Sequence, residues 1–114
     1  YVLAFNLVLL PIAGWFALFL VYKANLLNQA EFRQQQELAR QARIARLKVL
    51  RKAIAERDDV PPFVVFSDAT LIEMAQACPT NSVEFLAISG VGQTKLGRYG
   101  ADFLDLISDY LAGD

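Results

Sequence analysis

The chain opens with an apolar run over residues 1–22, in which only Asn6, Pro11 and Gly14 fall outside the hydrophobic set. About 20 apolar residues in a helix are long enough to cross a hydrocarbon core of about 30 Å. Lys23 follows the run directly, next to Tyr22, which is typical of a membrane interface. The pattern therefore predicts a transmembrane helix over residues 1–22.

Small residues occur together inside this run, at Ala13, Gly14 and Ala17. A patch of this kind lets a second membrane helix approach closely, so these three residues are the predicted membrane-helix contact. The alternative is that small residues are simply common in membrane spans. Basic residues crowd the C-terminal side of the run, which predicts an N-terminus outside an inner or plasma membrane and a cytoplasmic remainder.

No glycine or proline occurs from Trp15 to Val60, and residues 23–57 are rich in strong helix formers. These residues predict a helix that continues beyond the apolar run. Between Gln29 and Arg46 the apolar residues Phe32, Leu38 and Ile44 are too sparse for a sustained heptad, which argues against a coiled coil. We interpret residues 23–46 as a basic helical stalk, either solvated or lying along another protein.

A helical core-facing pattern begins at Leu47 and continues through Leu50 and Ile54, which predicts a globular domain over residues 47–114. The next break falls at 58–62, and PPFVVF at 61–66 is predicted to be an extended apolar linker. Ser67 suits a helix N-cap, and Asn81 with Glu84 resembles a capping box. Pro79 is expected to stop one helix and Gly100 to break another. The residues predicted to face the core are Leu71, Met74, Ala75, Cys78, Phe85, Leu86, Ile88, Leu96, Phe103, Leu104, Ile107 and Leu111.

Three segments carry a family resemblance: VPPFVVFSDATLIEMA at 60–75, the Pro-Thr pair at 79–80, and ISGVGQTKLGRYGADFL at 88–104. They resemble the HRDC domain, the module found at the C-terminus of RecQ helicases and of RNase D. The resemblance covers about residues 47–112 and implies a compact bundle of about five helices without catalysis of its own. The predicted fold class is all-α: a transmembrane helix, a long helical stalk and an HRDC-like bundle.

Members of this family bind nucleic acid weakly or contact proteins, and the turn at residues 90–92 is where the resemblance implies a nucleic-acid contact. Gly-Val-Gly resembles the hairpin of helix-hairpin-helix proteins, in which backbone N–H groups and a helix N-terminus hold a phosphate. The alternative is that both glycines only permit a tight packed corner. The candidate nucleic-acid contacts are Gly90, Gly92, Gln93, Thr94, Lys95, Arg98 and, as a stacking aromatic, Phe63.

Composition narrows the chemistry further. The 114 residues include no histidine and a single cysteine, Cys78. These counts exclude intrachain disulfides, His/Cys zinc sites and Ser-His-Asp catalysis. No Walker-type GxxxxGK[ST] motif is present. Cys78 is interpreted as a small buried hydrophobe, and neither an enzyme activity nor a cofactor is predicted.

The formal net charge of −1 conceals an uneven distribution. Residues 1–22 carry no charge, residues 23–57 hold nine basic and three acidic residues, and residues 58–114 hold two basic and nine acidic residues. Asp102, Asp105 and Asp109 recur at i, i+3 and i+7 and therefore share a helix face. This face is predicted to be solvated or to dock on a basic protein partner, with a metal site as a less favoured alternative.

Together these features predict a single-pass membrane-anchored accessory or scaffold subunit of a larger membrane protein complex. Its partners would be other subunits of the complex and the lipid bilayer, with anionic headgroups attracted to the basic stalk. The alternative is a membrane-tethered module that binds nucleic acid weakly through the Gly-Val-Gly turn. The sequence does not choose among respiratory, photosynthetic and transport complexes.

Overall fold

The computed structural model describes residues 11–113 of the chain, and all the regular structure in this part is helical, as predicted. The chain divides into two units, one up to Glu37 and one from Leu38 onward. The helices are α1 (Ile12–Asp58), α2 (Pro62–Val65), α3 (Asp68–Ala77), α4 (Ser82–Leu86) and α5 (Gln93–Gly113).

Helix α1 confirms that the chain stays helical from the end of the apolar run to Asp58. The absence of glycine and proline from this stretch explains why no residue interrupts it. The helix stops at the predicted break, where Asp59 adopts a left-handed φ of 54°. Aspartate tolerates this conformation better than most residues, and the Val60 N–H then donates to the Ala55 carbonyl at 3.0 Å.

The predicted membrane span is not supported by the described residues. No helix within residues 11–113 has an apolar stretch long enough to cross a membrane. Residues 1–10, which supply the rest of the predicted span, lie outside the described residues.

The segment predicted to be extended at 61–66 contains a single helical turn instead, α2. Pro62 stands at its first position, where the fixed φ of proline suits a helix and its missing N–H costs nothing. The Phe66 N–H donates to the Pro62 carbonyl at 3.4 Å and closes the turn. This turn carries Val65 and Phe66 into the core, where both are buried.

Both predicted N-caps are confirmed. The Ser67 hydroxyl accepts the Thr70 N–H at 3.2 Å, and the Asn81 side-chain carbonyl accepts the Glu84 N–H at 2.9 Å. The second half of the capping box differs from the prediction, because the Glu84 carboxylate accepts the N–H of Thr80 at 3.0 Å. Helix α3 ends at Ala77, just before Pro79, with Cys78 in a left-handed conformation.

The predicted break at Gly100 is wrong, since α5 runs through this residue without interruption. Gly100 is buried, and a Cβ built there would lie 2.8 Å from the Leu96 Cδ1 and 4.0 Å from the Phe85 Cδ1. The missing side chain therefore makes room for core packing. A glycine inside a helix costs about 1 kcal/mol relative to alanine, a cost that the neighbouring contacts of α5 outweigh.

The core of the unit that begins at Leu38 is centred on Phe66. Its ring makes edge-to-face contacts with Phe85, Tyr99 and Phe103, at centroid distances of 6.0, 5.9 and 5.0 Å. Such pairs contribute about 0.5–1.5 kcal/mol each beyond the area they bury. The sequence analysis did not place Tyr99 or Tyr110 in the core, yet both are buried.

Most residues predicted to face the core do so, but Leu111 does not, with 44 % of its surface exposed. Cys78 is half-buried rather than buried, and its thiol donates to the Ala75 carbonyl at 3.4 Å. The buried residues of the predicted set are Leu47, Ile54, Leu71, Met74, Ala75, Phe85, Ile88, Phe103 and Ile107, and the half-buried ones are Leu50, Leu86, Leu96 and Leu104.

Candidate functional site

An open groove runs between α1 and α5, with a volume of about 600 Å³. Asp102, Asp105 and Asp109, the acidic row, lie along this groove, because they share the face of α5 that borders it. The residues that line it are Ala45, Arg46, Val49, Leu50, Ala53, Asp102, Asp105, Leu106 and Asp109.

Apolar side chains form the floor of this groove. Val49 is 70 % exposed. Leu50 and Leu106 are half-buried beside it. Ala45 and Ala53 stand four residues before and after Val49, so they lie on the same side of α1, and their small side chains leave room on either side of Val49.

The acidic rim is largely uncompensated. Within residues 11–113, neither Asp105 nor Asp109 forms an ion pair. Asp102 lies 3.8 Å from a guanidinium nitrogen of Arg57, whose Nε donates to Asp58 at 2.9 Å. The hydrogen bond from Arg57 lowers the pKa of Asp58 below its usual value, and the same bond raises the pKa of Arg57.

The basic residues next to the groove are held against an aromatic ring. The guanidinium carbons of Arg43 and Arg46 lie 5.6 and 5.4 Å from the ring centroid of Tyr110. This arrangement allows a cation–π attraction and keeps Arg46 at the edge of the groove. Burial of the Tyr110 hydroxyl raises its pKa, and the Cys78 thiol beside it acts in the same direction. Within the described residues the hydroxyl has no well-aligned hydrogen bond to a nitrogen or oxygen atom.

The acidic row is not a metal centre in the described part of the chain. No group of three or more Asp, Glu, Cys or His side chains is placed there so that it could hold a metal ion. The three carboxylates are exposed and follow one another over two turns of α5, so their negative charge is spread over a length of about 10 Å. This geometry suits an extended partner better than a single ion.

The second predicted site, the Gly-Val-Gly turn, is firmly attached to α3. Gly90 has a φ of 88°, and a Cβ at this position would collide with the Thr70 Oγ1. The Thr70 hydroxyl donates to the Ser89 carbonyl at 2.9 Å, and the Ser89 N–H donates to the Glu73 carboxylate. These contacts are those of a packed corner, and the carboxylate places negative charge beside the turn.

The predicted nucleic-acid contacts are distributed over this turn, the start of α5 and α2. Gly92 has open space where a side chain would stand, and Gln93, Thr94 and Arg98 are exposed. Lys95 is half-buried, with its Nζ 5.6 Å from the ring centroid of Phe66. Phe63 is 70 % exposed on α2, and no ring contact, ion pair or hydrogen bond in the described residues joins it to the turn.

Arg51 has a structural role that was not predicted from the sequence. Its Nη1 donates to the Phe66 carbonyl at 3.0 Å and lies 2.7 Å from the Asp68 carboxylate. The hydrogen bond from Arg51 lowers the pKa of Asp68. A signal was available, because Arg51 follows Leu47 by four residues and precedes Ile54 by three, which places a charge on the core-facing side of α1.

The predicted membrane-helix contact lies at the start of α1, in the unit up to Glu37. Ala13 and Ala17 are exposed and Gly14 is half-buried. Their contact with another membrane helix stays a prediction.

Comparison with known proteins decides the family. The family model of the HRDC domain matches residues 40–107, which is more than half of the chain. This chain belongs to the HRDC domain family. The resemblance inferred from the sequence is thereby confirmed, and the HRDC domain is a non-catalytic accessory domain.

The relatives are helicases. The HRDC region is 53 % identical over 68 residues to the ATP-dependent DNA helicase RecQ of Haemophilus influenzae, covering 60 % of this chain and 11 % of that protein. It is 52 % identical over 65 residues to RecQ of Bacillus subtilis, covering 57 % of this chain and 11 % of that protein. With the ATP-dependent DNA helicase UvrD2 of Mycobacterium tuberculosis it shares 42 % identity over 64 residues, or 56 % and 9 % of the two chains.

A solved structure supports the same fold. The third HRDC domain of D. radiodurans RecQ aligns with a TM-score of 0.59 and 31 % sequence identity, covering 61 % of this chain and 93 % of that one. The chain spans only about a tenth of the length of the three helicases named above. What the similarity establishes is the HRDC domain itself, which is homologous to a helicase accessory module.

Proposed function

We propose that this HRDC domain is a protein-docking module and that its docking surface is the groove between α1 and α5. The observation that carries the proposal is the pairing of an exposed apolar floor, at Val49, with two carboxylates, Asp105 and Asp109, that have no ion-pair partner in the described residues. An apolar centre with a polar rim is the usual composition of a protein interface.

The energetics favour a protein ligand at this surface. Removing apolar surface from water contributes about 25 cal/mol per Å², so covering the floor stabilises a complex, while the carboxylates set the charge of the partner. A nucleic acid is a poor fit, because its phosphates would face three aspartates. The groove therefore suits a partner that brings both apolar and basic side chains.

The larger role is an extension of this proposal. An accessory or scaffold subunit needs a docking surface of this kind and no catalytic residues, which agrees with the accessory nature of the HRDC domain. Membership of a membrane complex, and any attraction of the stalk to anionic lipid, stay predictions based on the uncharged residues 1–22 and the basic residues after them. Membrane fractionation of the full chain, with and without residues 1–22, measures that location directly.

Site-specific photo-cross-linking in cells tests the docking proposal. A photoreactive amino acid replaces Val49 in the groove, and a matched control replaces Val83, which is 80 % exposed on α4. We expect a discrete covalent adduct with another protein from position 49 and none of the same mass from position 83. Equal labelling at both positions, or none at position 49, would rule out the groove as the docking surface.

A second candidate function is nucleic-acid binding, which the exposed ring of Phe63 and the exposed Arg98 favour. Aromatic rings stack on unpaired bases, and arginine neutralises phosphates. The full chain should be titrated with single-stranded DNA, duplex DNA and RNA at two salt concentrations. Salt-sensitive binding that is lost in Phe63→Ala and in Lys95→Ala/Arg98→Ala supports this candidate, and the absence of binding at low salt eliminates it.

A further inference from the structure

We propose that the occupant of the groove is an amphipathic helix of a partner protein, with apolar residues on one stripe and lysine or arginine beside that stripe. This inference rests on the proposed docking function and adds the chemical class of the partner. Its apolar stripe would contact the groove floor around Val49, and its basic residues would pair with the carboxylates of α5.

The spacing of the acidic row supports a helical ligand. Asp102, Asp105 and Asp109 stand at i, i+3 and i+7 on α5. They cover two helical turns, or about 10 Å at a rise of 1.5 Å per residue. Basic residues at i, i+3 or i+4, and i+7 of a partner helix cover the same length. A helix laid alongside α5 therefore presents its cations in register with all three carboxylates.

The groove floor also fits a helix. Helices that bind in grooves insert residues spaced i, i+3, i+4 and i+7 between two helices of the receptor. Ala45, Val49 and Ala53 follow one another at intervals of four along α1, so they form a ridge with small side chains at both ends. The small ends let a partner backbone approach, and Leu106 closes the floor on the α5 side.

The charge of the rim selects the sign of the partner. Asp105 and Asp109 lie free of ion pairs in the described part of the chain, whereas Arg46, the basic residue of the lining, is stacked near Tyr110. Basic side chains at these two carboxylates gain an attraction that no residue of the chain now supplies. An acidic helix would meet like charge, which costs affinity and excludes it.

A second copy of this chain fits the groove less well. Between Gln29 and Arg46, the large apolar residues of its basic segment are Phe32, Leu38 and Ile44, which stand six residues apart. At about 100° per residue, a spacing of six places successive residues about 240° apart around the helix, so they do not share one stripe. A helix of a different protein is therefore the occupant that fits the groove better.

Binding of the full chain to synthetic helical peptides tests the inference. The probe is a peptide with leucines at i, i+4, i+7 and i+11 and lysines beside them. One control exchanges every lysine for glutamate, and a second keeps the composition but scatters the leucines around the helix. We expect only the first peptide to bind, with an affinity that falls as the salt concentration rises. Its binding should change the NMR chemical shifts of the backbone amides of Val49 and Leu106 but not that of Val83.

The double variant Asp105→Asn/Asp109→Asn should weaken this binding tenfold or more without changing the melting temperature, because both side chains are exposed. Failure of the lysine peptide to bind, equal binding of the glutamate peptide, or shifts confined to another face would overturn the inference. So would a dimer in sedimentation that Val49→Asp dissociates, because the groove would then hold a second copy. In each case photo-cross-linking from position 49 still tests the docking function by itself, because it does not depend on the chemistry of the partner.

Discussion

The Arg51 guanidinium lies 2.7 Å from the carboxylate of Asp68, and this ion pair joins α1 to the first residue of α3. The arginine side chain is 12 % exposed, and the same nitrogen donates to the Phe66 carbonyl. One guanidinium thus fixes the chain where α2 ends and α3 begins. The arrangement places Phe66 in the core and keeps Ser67 free to cap α3.

The ion pair predicts a pH dependence of stability. Because Arg51 lowers the pKa of Asp68, the carboxylate stabilises the folded state above its unfolded pKa of about 3.9, and this contribution is lost as the pH falls below that value. Asp68→Asn should lower the free energy of unfolding at pH 7 and flatten its decrease between pH 5 and pH 2. Urea denaturation over this range measures both effects.

The control for this experiment is Asp105→Asn, which removes a carboxylate that has no ion pair in the described residues. The free energy of unfolding of this variant should decrease between pH 5 and pH 2 as it does in the unaltered chain. If the free energy of unfolding of Asp68→Asn fell between pH 5 and pH 2 as steeply as that of the unaltered chain, the Arg51–Asp68 pair would not be the cause of this decrease.

The two glycines of the turn predict different stabilities. Gly90→Ala forces a side chain into a positive φ and against the Thr70 hydroxyl, so we expect a loss of about 1–3 kcal/mol in the free energy of unfolding. Gly92→Ala has open space for its methyl group and should change stability little. Thermal or chemical denaturation of the two variants compares them directly, and equal losses would show that the turn is not a packed corner.

The buried hydroxyl of Tyr110 leads us to expect that the domain tolerates or gains stability from its removal. Within the described residues its hydroxyl is buried and faces the Cys78 thiol, a weak partner, rather than a well-aligned nitrogen or oxygen atom, and a poorly satisfied buried hydroxyl costs about 1–3 kcal/mol. Tyr110→Phe keeps the ring beneath Arg43 and Arg46, and it should raise the free energy of unfolding at pH 7 or leave it unchanged. A loss above 1 kcal/mol, on the order of a lost hydrogen bond, would mean that the hydroxyl is satisfied in solution.

The same variant has a predicted alkaline signature. Burial raises the pKa of Tyr110, so its contribution to stability is complete below the unfolded pKa of about 10 and declines as the pH rises above that value. Tyr110→Phe should therefore lose less stability than the unaltered chain between pH 9 and pH 11. Unfolding curves at these two values provide the measurement, and identical losses in both proteins would contradict it.

Much of the fold could be predicted because its signals are local. The long α1 follows from the absence of glycine and proline, and the caps at Ser67 and Asn81 follow from side chains that bond N–H groups three residues away. Where prediction failed, distant contacts decided the outcome. Gly100 resembles a break in the sequence, but it is buried inside α5, where a Cβ would stand 4.0 Å from the Phe85 side chain of α4.

The candidate site could be predicted only in part. The spacing of Asp102, Asp105 and Asp109 gave an acidic helix face, because all three residues lie on α5. The groove depends on α1 as well, and Val49 and Leu106 are too far apart in sequence for any local pattern to place them together. Likewise, the Glu73 carboxylate beside the Gly-Val-Gly turn became visible only when α3 and that turn were placed in contact.

Photo-cross-linking from position 49, combined with a charge reversal at the rim, tests the docking groove directly. The chain with the photoreactive residue alone is compared with the same chain carrying Asp105→Lys/Asp109→Lys, two exposed substitutions whose folding is verified by an unchanged melting temperature. A groove that selects a basic partner should give a protein adduct in the first chain and lose it in the second. An adduct of equal yield in both chains would contradict a docking groove that selects its partner by charge.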